Sequence, residues 1–383
     1  MDNKHLTRLI DQEFAVNNEL IYLNHAAVAP WPLRTRNAVT EFAEQNFRRG
    51  SFEYPQWLQT EMQLRQSLQT LINAPSHDDI ALVKNTSEAL SMVAYGLSWR
   101  AGDNVVITNL EFPSNRIVWE SLQKFQVEVR IADLTNCQDE LPESRVFDLC
   151  DEHTRIISIS SVQYGNGLRM DLPSIGHFCK THGILFCVDA IQSAGALQFD
   201  VQHADIHFAM ADGHKWMLGP EGIGFFYCDA KLRDRLSLTQ YGWHMVEHHT
   251  DFDSPDWQLA SSARRFECGS PNMLGIHALN ASLSLLHEVG MPIVEQQVKN
   301  NSKIMLEEIN QLDNLQLLSP AITNRLGGIV TFRHRSRSNR ELLQTLMQHK
   351  IMCAERGGGI RFSPHFYTKP DKIRLALNLA NKT

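Results

Sequence analysis

Hydrophobic positions in the middle of the chain fall into short runs rich in β-branched residues. These runs cover residues 105–108, 127–131, 155–160, 184–189, 206–210 and 224–227. Between several of them, apolar residues recur at helical spacing, as at Leu90, Val93, Ala94 and Leu97. Strands that alternate with helices predict crossover connections and a mostly parallel sheet covered on both faces. Ligands of such sheets bind at the carboxyl ends of the strands, so the residues after each run are the first candidates for a site.

The pattern changes after residue 272, where long amphipathic helices are predicted. Their apolar residues are Leu279, Leu283, Leu286, Val294, Val298, Met305 and Ile309. Short strands are predicted at residues 328–332 and 359–362, with a helix over residues 342–347 between them. This part of the chain therefore predicts a smaller α+β unit.

The domain division follows from these two patterns. We expect an α/β fold whose large domain, with its mostly parallel sheet, spans residues 21–272. The polar, helix-like residues 1–20 are expected to pack against residues 273–383 as the smaller α+β domain.

Composition narrows the class of protein. The 383 residues include 36 Lys and Arg against 43 Asp and Glu, a net charge of −7, and 43% are hydrophobic. This hydrophobic fraction excludes wholesale disorder, and without a long basic run we expect no nucleic-acid partner. We see neither a signal peptide nor a stretch of about 18 apolar residues, so no membrane association is expected. Seven cysteines without a CxxC pair fit reduced thiols in the cytoplasm, and the histidine spacings predict no metal site.

A lysine follows the run at 206–210, in the segment 213–220, GHKWMLGP. Lys215 lies there in a turn of small residues, where partial desolvation would lower its pKa and free the amine for Schiff-base chemistry. The alternative is a solvated surface lysine in a glycine-rich loop.

A carboxylate ends the run at 184–189. Asp189 at the end of a buried strand needs a charged partner, and a pyridinium N–H would be one. The alternative is that Asp189 caps the following helix.

A helix start is predicted at residues 84–89, KNTSEA. Asn85 and Glu88 have the spacing of a capping-box variant. The free N–H groups of the first turn, with the hydroxyls of Thr86 and Ser87, would bind an anion. A plain capped helix is the alternative.

Taken in order, five segments of the chain resemble the class V aminotransferase superfamily, the fold-type I group of pyridoxal 5'-phosphate (PLP) enzymes. The group includes cysteine desulfurases, kynureninase and isopenicillin-N-epimerase-like proteins. The segments are residues 22–30 (YLNHAAVAP), 85–89 (NTSEA), 189–195 (DAIQSAG), 213–220 (GHKWMLGP) and 360–365 (IRFSPH). The resemblance implies a fold-type I transferase fold, PLP as cofactor and a homodimer.

The resemblance also implies a role for each matching residue. Lys215 would carry the cofactor as a Schiff base, Asp189 would pair with the pyridine nitrogen, and Gln192 would hydrogen-bond the ring hydroxyl. The remaining implied cofactor contacts are Thr86, Ser87 and His214 at the phosphate, Phe112 over the ring, Tyr164 beside it, and Ser270 at the phosphate of the neighbouring subunit. An ordinary core position is the alternative for Phe112.

Substrate contacts are implied for Arg361, Asn24 and His25. Arg361 matches the arginine that grips the substrate carboxylate, a task suited to its planar, two-pronged donor. A structural ion pair is the alternative for Arg361.

The chain departs from the family pattern at two places. Asp212 stands where the family often has a phosphate-binding serine, and a carboxylate there would repel the phosphate unless it is turned away or charge-paired. Cysteine desulfurases carry a mobile cysteine well upstream of the substrate arginine, whereas Cys353 precedes Arg361 by only eight positions and lies in an apolar run. We expect Cys353 to be a strand residue rather than a persulfide carrier.

These observations predict a PLP-dependent enzyme that acts on an amino acid or amine, with Lys215 and Asp189 as catalytic residues. Aminotransferase or epimerase-like activity ranks first. A C–S lyase or cysteine desulfurase, or a kynureninase-like hydrolase, is the alternative. A non-catalytic regulatory protein on the same fold ranks last, because every essential position is filled.

Overall fold

The computed structural model describes residues 3–135, 141–322 and 325–382, so Cys137 lies outside the described residues. Its α-helices are α1 (Asn3–Glu13), α2 (Val16–Glu19), α3 (Leu33–Arg49), α4 (Tyr54–Ile72), α5 (Thr86–Gly96), α6 (Ser114–Glu120), α7 (Pro142–Phe147), α8 (Leu172–His182), α9 (Met273–Val289), α10 (Met291–Gln311), α11 (Asn339–Gln348) and α12 (Pro370–Lys382). Short 3₁₀ helices lie at His77–Asp79, Ser121–Phe125, Ala230–Arg235, Trp243–Met245 and Ala263–Phe266.

The strands form three sheets. They are β1 (Ile21–Tyr22), β2 (Ile80–Val83), β3 (Asn104–Thr108), β4 (Glu128–Ala132), β5 (Thr154–Ser160), β6 (Leu185–Asp189), β7 (Phe208–Asp212), β8 (Gly224–Cys228), β9 (Leu315–Leu317), β10 (Val330–His334), β11 (Ile351–Met352), β12 (Ala354–Arg356) and β13 (Gly359–Phe362). The central sheet has the order β2-β8-β7-β6-β5-β3-β4, and its strands from β7 to β4 are parallel. The predicted mostly parallel sheet is therefore confirmed, with β8 as its antiparallel exception.

Alternate residues of the central strands pack on opposite faces of this sheet. Val106 belongs to one hydrophobic cluster, whereas Val105 and Ile107 belong to the other. This alternation follows from the two-residue period of a strand, and burial on both faces explains why the strands read as continuous apolar runs. The carboxyl ends of β5, β6 and β7 are thereby held side by side at one edge.

The C-terminal part has its own hydrophobic cluster and an antiparallel sheet of order β12-β13-β10-β9. The strand predicted at 359–362 is confirmed as β13, and the helix predicted at 342–347 is the centre of α11. The strand predicted at 328–332 begins two residues later, as β10. The α+β character predicted for this region is confirmed.

The N-terminal segment reaches the C-terminal part. β1 pairs in parallel with β11, and Asn24 forms a bridge with Ser363. Phe14, just after α1, stacks on Tyr367 with 3.5 Å between the ring centroids. The division into domains at residues 20 and 272 stays a prediction.

A buried ion network fastens α4 to the central sheet. Arg65 donates to Glu61 at 2.6 Å and to both carboxylate oxygens of Glu267, and Glu267 also accepts from the backbone N–H of Leu82. Glu61, Glu267 and His244 come close enough together to resemble a metal-binding group. Because both carboxylates already bind Arg65, we interpret the group as a structural ion network. Among the described residues, no helix is long and apolar enough to cross a membrane.

Candidate active site

A cavity of about 460 Å³ opens at the carboxyl ends of the central strands. It is lined by Ala26, Ala27, Val28, Asn85, Thr86, Ser87, Phe112, Ser114, Tyr164, Asp189, Ile191, Gln192, Asp212, His214, Lys215, Glu221, Arg356 and Arg361. Nearly all the residues expected to bind the cofactor therefore surround one space. Ser270, Asn24 and His25 are not part of this described lining.

Lys215 follows β7 in a turn, and its side chain is almost fully buried. Burial lowers the pKa of the Lys215 amine to about 8, although the nearby carboxylate of Asp189 acts in the opposite direction. The ammonium nitrogen lies 5.5 Å from the centre of the Phe112 ring. A large share of Lys215 is thus a neutral, nucleophilic amine at slightly alkaline pH.

Asp189 ends β6 at the floor of the cavity. Burial raises the pKa of its carboxyl to about 7, while the N–H of Ile191, donated to Oδ1 at 3.0 Å, favours the charged form. Because burial disfavours the charged form of this carboxylate, a cationic N–H partner such as a protonated pyridine would stabilise it.

The first turn of α5 forms another side of the cavity. Asn85 caps the helix by accepting from the N–H of Glu88 at 2.9 Å, and Glu88 accepts from the N–H of Lys84 at 2.7 Å. The predicted N-cap at Asn85 is therefore present, whereas Glu88 accepts from the N–H of Lys84 and not from that of Asn85, so the reciprocal contact of a capping box is not formed. The Thr86 hydroxyl is buried with no hydrogen-bond partner among the described residues, as expected of a group that awaits an anion.

Asp212 is the last residue of β7, so the strand predicted at 206–210 is displaced by two residues. Its Oδ1 lies 3.1 Å from Nδ1 of His214, a charge-pair distance without hydrogen-bond geometry. The carboxylate thus has a partner within the turn that carries Lys215. An imidazole carries a charge only when it is protonated, so this contact alone does not charge-pair Asp212.

Phe112 is held at the mouth of the cavity by its neighbour Glu111. That buried carboxylate accepts from the side chains of Thr108, Asn115, Ser160 and Gln163 and from the N–H of Ser160. The Phe112 ring is 40% exposed and meets the Tyr164 ring edge to face, with 5.2 Å between centroids. Phe112 is therefore an exposed wall of the cavity rather than a core residue.

Arg361 enters the cavity from β13. One guanidinium N–H donates to the carbonyl of Tyr164 at 2.9 Å, while Nε is buried with no partner among the described residues. Burial, together with the nearby charge of Arg356, lowers the pKa of Arg361 to about 10. The orphaned N–H leaves Arg361 able to bind a carboxylate.

The sequence reasoning missed Arg356, which lines the same cavity from β12. β12 and β13 form an antiparallel hairpin in which Arg356 faces Gly359 and Ala354 faces Arg361. The signal was the pair of arginines five positions apart around three glycines, because a turn there places both arginines in one hairpin, two register positions apart.

His25 and Asn24 lie outside the described lining of the cavity. The His25 ring is fully buried, with Nδ1 2.9 Å from the carbonyl of Ser363 and Nε2 2.6 Å from the hydroxyl of Tyr367. Burial and the neighbouring His365 lower its pKa well below the ordinary value. These contacts tie the two ends of the chain together, and the substrate role of both residues stays a prediction.

Comparisons with known proteins identify the family. The model of the aminotransferase class-V family matches residues 21–381. The chain belongs to the aminotransferase class-V family. The predicted resemblance is therefore confirmed, and with it a PLP-dependent enzyme. The side chains of the cavity fit PLP, because they supply a buried carboxylate, an orphaned hydroxyl at a helix start and a desolvated lysine.

The relatives that match this chain carry the names of different enzymes. The chain is 29% identical to a probable cysteine desulfurase of Methanothermobacter thermautotrophicus, over 96% of both proteins. It is 30% identical to an uncharacterized aminotransferase of Bacillus subtilis, over 80% of both. A cysteine desulfurase of Yersinia pestis is 29% identical, over 94% of this chain and 89% of that one.

Solved structures share the fold at lower identity. The apo cysteine desulfurase of Thermococcus onnurineus superposes with a TM-score of 0.88 at 23% identity, over 97% of this chain and 96% of that one. A complex of a cystine C–S lyase with its product cysteine persulfide gives 0.89 at 23% identity, over 96% and 99%. These likenesses confirm the fold-type I architecture. The names of the relatives, by contrast, support the C–S lyase or cysteine desulfurase alternative better than the aminotransferase or epimerase that we ranked first.

Proposed function

We propose that the chain is a PLP-dependent C–S lyase that eliminates sulfur from a cysteine-type amino acid. One observation favours elimination over transfer of sulfur to a protein cysteine: the cavity brings Lys215 and Arg361 together, but no cysteine occurs in its described lining. The relatives named cysteine desulfurase support a sulfur-containing amino acid as substrate.

The cofactor would be held by residues on three sides of the cavity. Asp189 would keep the pyridine nitrogen protonated, Gln192 would face the ring oxygen and Phe112 would cover the ring. Thr86, Ser87, His214 and the first N–H groups of α5 would hold the phosphate. When bound, PLP supplies a carbonyl that condenses with amines and a ring that accepts an electron pair.

Arg361 would bind the substrate, and Lys215 would transfer protons to and from it. Arg361 offers its orphaned N–H and its charge to the α-carboxylate, which fixes the α-carbon relative to Lys215. The Lys215 amine, with a pKa lowered to about 8 by burial, would remove the α-proton as general base. The same ammonium would then be the acid that can protonate the departing sulfur.

The described cysteines are poorly suited to carry a persulfide. Cys353 is 4% exposed, and burial raises the pKa of its thiol to about 12, so little thiolate forms at neutral pH. Cys187 lies inside β6, where burial likewise raises its pKa to about 12. Cys268 is more accessible but lines a different cavity. We therefore infer that sulfur leaves as a free product: cysteine and water give pyruvate, ammonia and hydrogen sulfide.

Arg356 favours a substrate with two carboxylates. The exposed guanidinium of Arg356 lines the same cavity as Arg361, where it offers a second positive charge to an anion, and its charge already contributes to the lowered pKa of Arg361. Cystine carries a carboxylate at each end. With cystine, elimination and hydrolysis give pyruvate, ammonia and cysteine persulfide, with every atom conserved.

The test is a product analysis of the purified, PLP-loaded enzyme with L-cysteine and with L-cystine. We expect pyruvate and ammonia in equal amounts, no alanine, and a preference for cystine that Arg356→Gln reduces about tenfold. Alanine with a stoichiometric persulfide on the protein would establish a desulfurase instead. Turnover only with an added 2-oxo acid would establish an aminotransferase. Lys215→Ala is the inactive control, and borohydride reduction should label Lys215 in the wild type.

The second subunit is also part of the proposal. Ser270 is exposed and lines a separate cavity with Lys84 and Cys268, outside the described Lys215 cavity. If it contacts a phosphate as the family resemblance implies, it does so in a neighbouring copy. We expect a homodimer by light scattering, and a strictly monomeric protein with full cofactor content would contradict this.

A further inference from the structure

The side-chain amide of Gln192 makes two hydrogen bonds, one with a donor and one with an acceptor. Nε1 of Trp216 donates to Gln192 Oε1 at 2.8 Å, and Gln192 Nε2 donates to the carbonyl of Ala26 at 3.2 Å. An indole N–H can only donate and a carbonyl can only accept, so the two contacts allow a single orientation of the amide. In that orientation the second N–H of Gln192 is left for the cavity that the residue lines.

Trp216 itself cannot turn. It is fully buried, and a Cβ at Gly328 would lie 2.3 Å from its ring, so the indole packs directly on the backbone there. Its carbonyl accepts from Nε2 of His365 at 3.0 Å. A Cβ at Gly195 would lie only 2.4 Å from the same carbonyl. Three separate segments of the chain therefore fix the direction of the indole N–H.

We propose that Trp216 is a positioning residue that presents the Gln192 N–H to the ring oxygen of bound PLP. Without the indole donor, only the 3.2 Å contact with Ala26 opposes a rotation that turns the carbonyl oxygen of Gln192 toward the cofactor, which exchanges a donor for an acceptor. A donor at the ring oxygen stabilises its ionised form, so the bound chromophore keeps its deprotonated state to lower pH. This inference depends on PLP binding but not on sulfur elimination, so either proposal can fail without the other.

The test is a pH titration of the visible absorbance of the holoenzyme, comparing wild type with Trp216→Phe. We expect the titration midpoint to rise by about half to one pH unit, the range expected for one hydrogen bond to a charged oxygen. The dissociation constant of PLP should rise about three- to tenfold. Gln192→Ala should shift the midpoint in the same direction, and the double variant should match Gln192→Ala alone, because Trp216 acts through Gln192.

Trp99→Phe is the matched control. Trp99 is half-buried and donates its indole N–H to the carbonyl of Ala94 at 2.7 Å, and it is outside the described lining of the cavity. We expect it to lower thermal stability without moving the titration midpoint.

A midpoint in Trp216→Phe equal to that of wild type, with Gln192→Ala shifted, would overturn the proposal. So would shifts that add in the double variant. If Trp216→Phe does not fold, benzothienylalanine at position 216 keeps the shape of the indole and replaces its N–H by sulfur. The same upward shift is expected there, and an unchanged midpoint would equally overturn the proposal.

Discussion

Replacing Asp189 by asparagine in the cofactor-free protein should stabilise its fold at neutral and alkaline pH. Burial raises the pKa of the Asp189 carboxyl to about 7, from 3.8 for the unfolded chain. Between pH 4 and 7 the Asp189 carboxyl is ionised in the unfolded chain but protonated in the folded protein. The free energy of unfolding therefore falls as the pH rises from about 4 to 7, and it stays lowered above pH 7. Asparagine is neutral throughout and removes this dependence.

The size of the effect follows from the shift. At 1.36 kcal/mol for each pKa unit, the asparagine variant should be more stable than wild type by roughly 4 kcal/mol at pH 8 and by less than half of that at pH 5. Urea unfolding of wild type and Asp189→Asn without PLP, from pH 5 to 8.5, measures both values. Asp253→Asn is the control, because Asp253 is exposed and should give no pH-dependent difference.

The stability advantage of the asparagine variant should shrink when PLP is added. Asp189 then meets the protonated pyridine nitrogen, so the asparagine variant should bind PLP at least about tenfold more weakly than wild type. An Asp189→Asn variant that is less stable than wild type at pH 8 without cofactor would refute the reasoning. It would mean that other groups already compensate the carboxylate.

Three further outcomes are expected. The rate at which the apoprotein binds PLP should rise about tenfold per pH unit up to about pH 8 and then level off, because the neutral Lys215 amine is the nucleophile. A rate independent of pH from 6 to 9 would contradict this. Arg361→Gln should raise the KM for amino acids about a hundredfold and leave amines without a carboxylate unaffected; equal losses for both would argue against carboxylate binding. Cys353→Ala should cost about 1 kcal/mol of stability, measured by urea unfolding, but leave turnover within a few-fold. A persulfide trapped on Cys353, lost with activity in that variant, would overturn the last expectation.

The central sheet could be predicted because its strands are buried on both faces and therefore stand out as apolar runs. The run at 155–160 corresponds to Thr154–Ser160 and that at 224–227 to Gly224–Cys228. The run at 206–210 was displaced because His207 lies outside the strand, where its ring accepts the N–H of Phe186. β2 was missed because its four residues, Ile80–Val83, are too few to show a period.

The site was predictable where neighbours in sequence act together, and less so where the fold brings distant residues together. The turn around Lys215 and the cap at Asn85 are local and were recognised. His25 lies in a segment that resembles the family motif, but its ring hydrogen-bonds Ser363 and Tyr367, which are more than three hundred residues away in the sequence. Arg356 required knowledge of the hairpin register, which the sequence pattern around its glycines only suggests.

The pairing of the two chain ends has a consequence for biosynthesis. Ala26 and Arg361 form parts of one cavity wall, and the nearby contact between His25 and Ser363 spans 338 residues. At about 5–20 residues per second, the second partner emerges from the ribosome roughly 20–70 s after the first. The central sheet and the residues assigned to the cofactor can be in place during that interval, whereas Arg361 joins the cavity only when β13 has been made. The substrate-binding side of the cavity is thus the last part to form, and a chain that terminates before Arg361 would lack it.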